Sequence, residues 1–247
     1  THRLGGKLCG FSNINESRSI PPYNESLTDC LTVLDSYTDG IIYRHKIPLY
    51  DLSIDHLTTP IITAGDGNNE HPTQALLDLW ILDRQLGGLK GKTIGLYGPL
   101  HARSHRSFLI GLTKFLPKKI LFYQHQEKPP YSKILDDIQK SGIPYSFETD
   151  LGEFILQADA VNMLPLDMPD QAGRAISNEL AYSLLQPHII NKKLLSSLNT
   201  DTRFIHAGPR TQELATDTDK MKNSLYLHSI QNSLYMRQAV LYMTLKK

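Results

Sequence analysis

Short apolar runs alternate along this chain with longer stretches in which apolar residues recur every three or four positions. The first pattern predicts strands and the second predicts helices. Strands are expected at Lys7 to Phe11, Ile41 to Tyr43, Pro60 to Ala64, Thr93 to Gly98, Lys119 to Tyr123, Tyr145 to Glu148, Ala158 to Met163 and Arg203 to His206. Between them, helices are expected at Asn24 to Tyr37, with Leu27, Leu31 and Leu34 on one face, and at Pro48 to His56, a short one. Further helices follow at His71 to Leu86, opening with Pro72, and at Ser104 to Leu116, Tyr131 to Lys140, Leu151 to Gln157 and His188 to Leu198. Ser229 to Leu245 reads as a final amphipathic helix.

Strands separated by helices of this length pair in parallel and are covered on both faces. The pattern therefore predicts an α/β protein of two doubly wound parallel-sheet domains. Gly87-Gly88-Leu89-Lys90-Gly91-Lys92 stops one helix before the next strand and marks the expected boundary. This gives a first domain over 1–87 and a second over 88–228, with the helix 229–247 expected to pack back on the first. Thr1-His2-Arg3-Leu4-Gly5-Gly6 reads as the last turn of a helix with its glycine stop. On that reading the first domain is truncated at its N-terminus, as a fragment, a processed chain or a shortened relative.

A length of 247 residues suits one or two globular domains, and 40% hydrophobic with 21% charged residues is ordinary globular composition. No apolar run approaches membrane-spanning length and Thr1 to Gly6 carry no signal-peptide pattern, so a cytoplasmic setting without membrane is expected. Cys9 and Cys30 form no Cys-x-x-Cys pair and are expected to be buried thiols. A net charge of +1 offers no footprint for nucleic acid, so any anion site must be local.

Ligands of parallel sheets gather at the carboxyl ends of the strands. Four such places are polar or basic: Arg44-His45, His71-Pro72-Thr73-Gln74, His101 to Arg106, and His206-Ala207-Gly208-Pro209-Arg210. His71 and Gln74 lie on neighbouring faces of a helix's first turn, where free N–H groups favour an anion or a polarised carbonyl oxygen. Spacing alone leaves His71 equally open to a plain capping role. Arg44 can fork onto a phosphate or carboxylate, or form a surface ion pair. Arg103 and Arg106 beside a helix start suit an anion, or else a solvated basic turn. The ten histidines show no zincin-like spacing beside a carboxylate, so no metal and no cofactor is expected. Gly98-Pro99-Leu100 lacks the dinucleotide glycine pattern.

The run Asp66-Gly67-Asn68-Asn69-Glu70-His71-Pro72-Thr73-Gln74-Ala75-Leu76-Leu77-Asp78-Leu79 resembles the most specific motif of the aspartate and ornithine carbamoyltransferases. The resemblance continues in family order through His2-Arg3-Leu4-Gly5, Gly10-Phe11-Ser12, Glu25 to Asp29, Ile41 to His45, Gly98 to Ser107, His206 to Asp217 and Arg237-Gln238-Ala239. Glu213-Leu214-Ala215-Thr216-Asp217 resembles the aspartate branch. The resemblance implies carbamoyl transfer from carbamoyl phosphate to L-aspartate, a step of pyrimidine biosynthesis, without metal or covalent intermediate. It implies that Arg44 contacts phosphate and carbonyl oxygen, that His71 polarises that oxygen, and that Gln74 holds the carbamoyl amide. The Gly208-Pro209 backbone accepts from that amide, and Arg103 binds a carboxylate of the amino acid. It also implies a homotrimer, with room for a regulatory or dihydroorotase partner.

Three departures from the family pattern stand out. No Ser-Thr-Arg-Thr phosphate loop occurs in the 247 residues. The loop Asn15 to Asn24, lent in the family to a neighbouring subunit, offers Ser17, Arg18 and Ser19, with Pro22-Tyr23 where a lysine is expected. After the strand ending at Met163 the run is Leu164-Pro165-Leu166-Asp167 where an arginine is expected, Arg174 being the nearest substitute. Losing a charged partner from a buried ligand contact costs about 2–5 kcal/mol. Two alternatives therefore stand beside the aspartate enzyme: a non-catalytic relative serving assembly or regulation, and a carbamoyltransferase for a different amine.

Overall fold

The computed structural model describes residues 1–10, 24–123, 132–166 and 186–246. The chain divides into two compact units, one of Thr1–Thr73 with Leu234–Lys247 and one of Gln74–Ser233.

In the first unit, α1 (Leu27–Asp35) starts where Ser26 accepts a hydrogen bond from the Asp29 N–H, a side-chain cap that fixes the first turn. Its Leu27, Leu31 and Leu34 pack on Ile41 and Tyr43. These last belong to β1 (Ile41–His45), which pairs in parallel with β2 (Ile61–Asp66). Asp35 at the end of α1 accepts from the Thr58 and Thr59 N–H groups and so ties the helix to the approach of β2. Leu245 lies so close to Gly40 that an added Cβ there would meet its Cδ2 at 2.5 Å.

The second unit carries a five-stranded parallel sheet in the order β5-β4-β3-β6-β7: Tyr145–Glu148, Lys119–Tyr123, Thr93–Tyr97, Ala160–Met163 and Arg203–His206. Its helices are α2 (Pro72–Leu86, from Gln74 on), α3 (Arg103–Leu112), α4 (Ser132–Lys140), α5 (Leu151–Gln157) and α6 (Lys192–Leu198). The core joins Tyr97, Leu121 and Tyr123 of the sheet to Phe154 and Ile155 of α5 and Leu195 of α6. From β3 the chain winds outward to β5 and then crosses back to β6 on the other side of β3, so the topological switch lies between β3 and β6. Gly98 is required there: its φ is +111°, and a Cβ would sit 2.6 Å from the Leu164 carbonyl oxygen. The last helix, α7 (Tyr226–Leu245), runs through the boundary residue Ser233. Among the described residues no helix is long and apolar enough to cross a membrane.

The α/β architecture of parallel sheets agrees with the pattern of the sequence, and several details correct it. Lys7 to Gly10 form no strand; Leu8 is exposed and no neighbouring strand pairs with them among the described residues. Pro48 to His56 contains only a 3-10 turn, Leu49–Asp51. The helix expected from His188 begins at Lys192, because Ile190 is committed to a bridge with Leu214 and Asn191 caps the Leu194 N–H. Cys30 is buried but Cys9 is exposed. Expected amphipathicity is not realised in α7, where Leu227, Ile230, Tyr235, Tyr242 and Met243 are all exposed. Phe11, Ser12, the loop residues Ser17 to Tyr23, Asp167 and Arg174 lie outside the described residues.

Candidate active site

In the first unit, register slips between Tyr43 and His45, so that two steps along β1 face three along β2. Arg44 sits at this irregularity, a local twist of the kind that re-aims a side chain, and is exposed. The turn that follows β2 is organised by Asp66, which is 3% exposed. Its carboxylate accepts from the N–H groups of Leu49 and Glu70 and from the Asn69 amide. Gly67, at φ +52°, donates its N–H to the His45 carbonyl at 2.7 Å and closes the turn against the end of β1. The chain then reaches His71, half-buried, one residue before α2 opens on Pro72. Arg44 and His71 thus belong to the same carboxyl edge of the β1–β2 sheet.

In the second unit, Gln74 is 8% exposed, and its Nε2 donates to Asp78 Oδ1 at 2.8 Å. Asp78 Oδ2 accepts from Asn162 Nδ2 at 2.9 Å, linking α2 to β6. Arg103 is the first residue of α3, half-buried, behind an Ala102 cap position that offers no side-chain bond to the first-turn N–H groups. Met163 and His206 are register partners across β6 and β7, and the chain leaves β7 into Ala207-Gly208-Pro209. The Gly208–Pro209 peptide is cis.

That exit loop is tied down by a hydrogen-bond network around the Glu213 carboxylate. The Gly208 N–H donates to His206 Nδ1 at 2.9 Å, so Nδ1 accepts and the ring proton resides on Nε2, which donates to Glu213 Oε1 at 2.8 Å. Burial would push the Glu213 carboxyl up, but the bonds from His206 and from the Thr211 hydroxyl and N–H outweigh it and hold it below its ordinary value. Arg210 is paired with Asp219 and lies 4.3 Å over the Tyr226 ring, which removes its cation from the candidate ligand set.

Two family models match the chain in sequence order: the aspartate/ornithine carbamoyltransferase carbamoyl-P binding domain over residues 1–84, and the Asp/Orn binding domain over residues 90–244. The chain belongs to the aspartate/ornithine carbamoyltransferase family. Its relatives include the aspartate carbamoyltransferase catalytic subunit of Wigglesworthia glossinidia brevipalpis, 31% identical over 249 residues, covering 100% of this chain and 79% of that one. The corresponding subunit of Thermococcus gammatolerans is 31% identical, covering 99% and 78%. Among solved structures, aspartate transcarbamoylase from Trypanosoma cruzi in complex with carbamoyl phosphate superposes with a TM-score of 0.84 at 26% identity, covering 98% of this chain and 76% of that one. The same enzyme with carbamoyl aspartate and phosphate gives 0.83 at 27% identity, covering 98% and 76%.

As a carbamoyltransferase-family fold, the molecule carries features that the pattern of the sequence did not single out. Asp78 stands in the family-like run with no role of its own, and Asn162 reads only as a strand residue. The signal for Asp78 was a carboxylate four residues after Gln74 on a helix face otherwise filled by Leu77, Leu79 and Ile81. His206 and Glu213 belong to recognisable runs of the sequence, but nothing in their spacing pairs them. At the end of β6, Leu164, Pro165 and Leu166 are all buried, so the position expected to hold an arginine is filled by apolar packing.

His105, on α3, is wholly buried, with Nδ1 3.2 Å from the Pro99 carbonyl oxygen. Burial pulls its pKa down to about 4, outweighing the bond to Pro99. Between pH 4 and its ordinary value the unfolded chain binds a proton that the folded chain refuses, so this group makes stability fall as pH is lowered through that window. The loss amounts to about 3 kcal/mol between neutral pH and pH 4. Urea unfolding across that range should show His105→Leu losing less stability on acidification than the unaltered protein by about that amount; parallel slopes would refute the assignment.

Proposed function

We propose that this protein transfers the carbamoyl group of carbamoyl phosphate to the amino group of L-aspartate, a step of pyrimidine biosynthesis. The observation that carries this reading is the match of both family domains, in order and over nearly the whole chain, with His71-Pro72-Thr73-Gln74 at the opening of α2. On this reading, residues 1–87 hold carbamoyl phosphate, helped by the C-terminal helix 229–247, and residues 88–228 hold the amino acid. The amine lone pair attacks the carbonyl carbon, negative charge gathers on the carbonyl oxygen, and the C–O bond to phosphate breaks as the departing phosphate takes up the amine proton. Catalysis consists of placing the two reactants together and stabilising that charge. Arg44 neutralises phosphate and carbonyl oxygen, His71 donates to that oxygen, and Gln74 and the Gly208-Pro209 backbone accept from the carbamoyl amide. Arg103 pairs with a carboxylate of the amino acid. The working form is a cytoplasmic homotrimer, open to a regulatory or dihydroorotase partner.

The buried Leu164-Pro165-Leu166 run favours a second reading, in which the acceptor is an amine without the second carboxylate of aspartate. An apolar wall at the end of β6 offers no partner to that charge and leaves it desolvated. Calorimetric titration with carbamoyl phosphate, followed by a colorimetric ureido assay across a panel of amines, separates the readings. Binding with turnover of aspartate is the expected result. Turnover of a different amine instead supports the second reading, and binding with no turnover at all supports a non-catalytic relative.

A further inference from the structure

Gln74, Asp78 and Asn162 are 8%, 2% and 1% exposed, three polar side chains enclosed among leucines and the central strands. A carboxylate can only accept hydrogen bonds, whereas a carboxamide has one donating and one accepting end. Both amides therefore present nitrogen to Asp78, Gln74 at 2.8 Å and Asn162 at 2.9 Å. Turning either amide over would set oxygen against oxygen in a buried place, a costly arrangement. The orientation of Gln74 is thus not free: with Nε2 committed to Asp78, its Oε1 is the end turned away.

We propose that Asp78 is a positioning residue that fixes the carbonyl end of Gln74 toward the ligand and so makes the site select an –NH2 group over an oxygen or a methyl at that point. The inference rests on the carbamoyl phosphate reading above and deepens it: it names what tells the carbamoyl group from other acyl phosphates. Asn162 is the second strut, since it occupies the other carboxylate oxygen and anchors Asp78 to β6, 84 positions along the chain. With both oxygens engaged, the Asp78 carboxylate is held in one rotamer, and the amide it orients is held with it.

Asp78→Asn preserves shape but can donate as well as accept, so it no longer dictates which end of Gln74 faces it. The test measures binding of carbamoyl phosphate, acetyl phosphate and inorganic phosphate to the whole protein in its native assembly, beside steady-state kinetics and a thermal midpoint. Acetyl phosphate carries a methyl where the carbamoyl group carries its amino group. In D78N, the Kd and KM for carbamoyl phosphate should rise by about tenfold, the loss of one oriented hydrogen bond, with acetyl phosphate and phosphate binding unchanged. Asn162→Ala, which keeps Asp78 but frees one of its oxygens, should give a smaller loss of the same selective kind, and it serves if D78N does not fold. Equal weakening of all three ligands, or undiminished preference for carbamoyl over acetyl phosphate, overturns the proposal. If the unaltered protein itself shows no preference for carbamoyl phosphate, the functional reading falls first and this inference with it.

Discussion

Replacing His71 with alanine is expected to lower kcat for carbamoyl transfer by about a hundred- to a thousandfold, the usual effect of removing one donor from a developing oxyanion. The carbonyl oxygen of carbamoyl phosphate is weakly charged before attack and strongly charged during it. A donor aimed at it therefore stabilises the transition state more than the bound substrate, and the loss should fall on kcat more than on KM. The backbone on either side of His71 has supports of its own. Asp66 and Gly67 build the preceding turn through their own bonds, and Pro72 supplies a preset φ at the first helical position. The thermal midpoint should accordingly change little. A merely capping histidine makes the opposite prediction: a lowered midpoint with kcat intact. Steady-state kinetics and a melting curve on the same preparation of H71A decide between them.

Periodicity revealed most of the sheet and less of what surrounds it. The bounds of β4, β5, α5 and β7 follow from the sequence because each is a short run with apolar residues at strand or helix spacing, closed by turn or polar residues. Pattern and structure part where a tertiary bond decides the outcome. His188 to Asn191 has helical composition, but Ile190 exchanges backbone bonds with Glu213 and Ala215, and the helix waits for the Asn191 cap. Lys7 to Gly10 has strand composition, but a strand also needs a neighbour to pair with.

Something similar separates the parts of the candidate site that could be read from those that could not. Arg44, His71, Gln74 and Arg103 stand at strand ends or helix starts, where topology gathers ligands, and a sequence marks such places with turn residues and charges. Asp78 stands in the second turn of a helix, and its partner Asn162 arrives from a strand far along the chain. An isolated aspartate on a helix reads as solvated surface until something shows that the strand opposite carries an amide in register with Leu96. Likewise Glu213 reads as one acidic residue of a motif, and only the fold brings it to His206.

Glu213→Ala is expected to cost about 1–3 kcal/mol of folding stability, the range for leaving a buried donor, here the His206 Nε2–H, without its acceptor. The carboxylate is 2% exposed and receives three donors: the His206 Nε2–H, the Thr211 N–H and the Thr211 hydroxyl. Alanine leaves the buried His206 Nε2–H facing an enclosed void, whereas the Thr211 donors sit on an exposed residue that water can reach. The consequence also reaches the proposed carbamoyl subsite. Once Nε2–H has no acceptor, the His206 ring loses the bond that anchors its far side, and the Gly208 N–H loses a fixed acceptor. Glu213→Gln should be milder on both counts, since one amide oxygen can still accept from His206 while the Thr211 hydroxyl can turn to accept from its nitrogen. Acid should mimic the loss: a carboxyl held below its ordinary value contributes stability above the usual carboxylate range and gives it up as pH falls through the lowered pKa. Urea unfolding of both variants, with carbamoyl phosphate titrations below the unfolding midpoint, measures the two effects separately. A Glu213→Ala protein as stable as its parent would show that this network does not hold the loop.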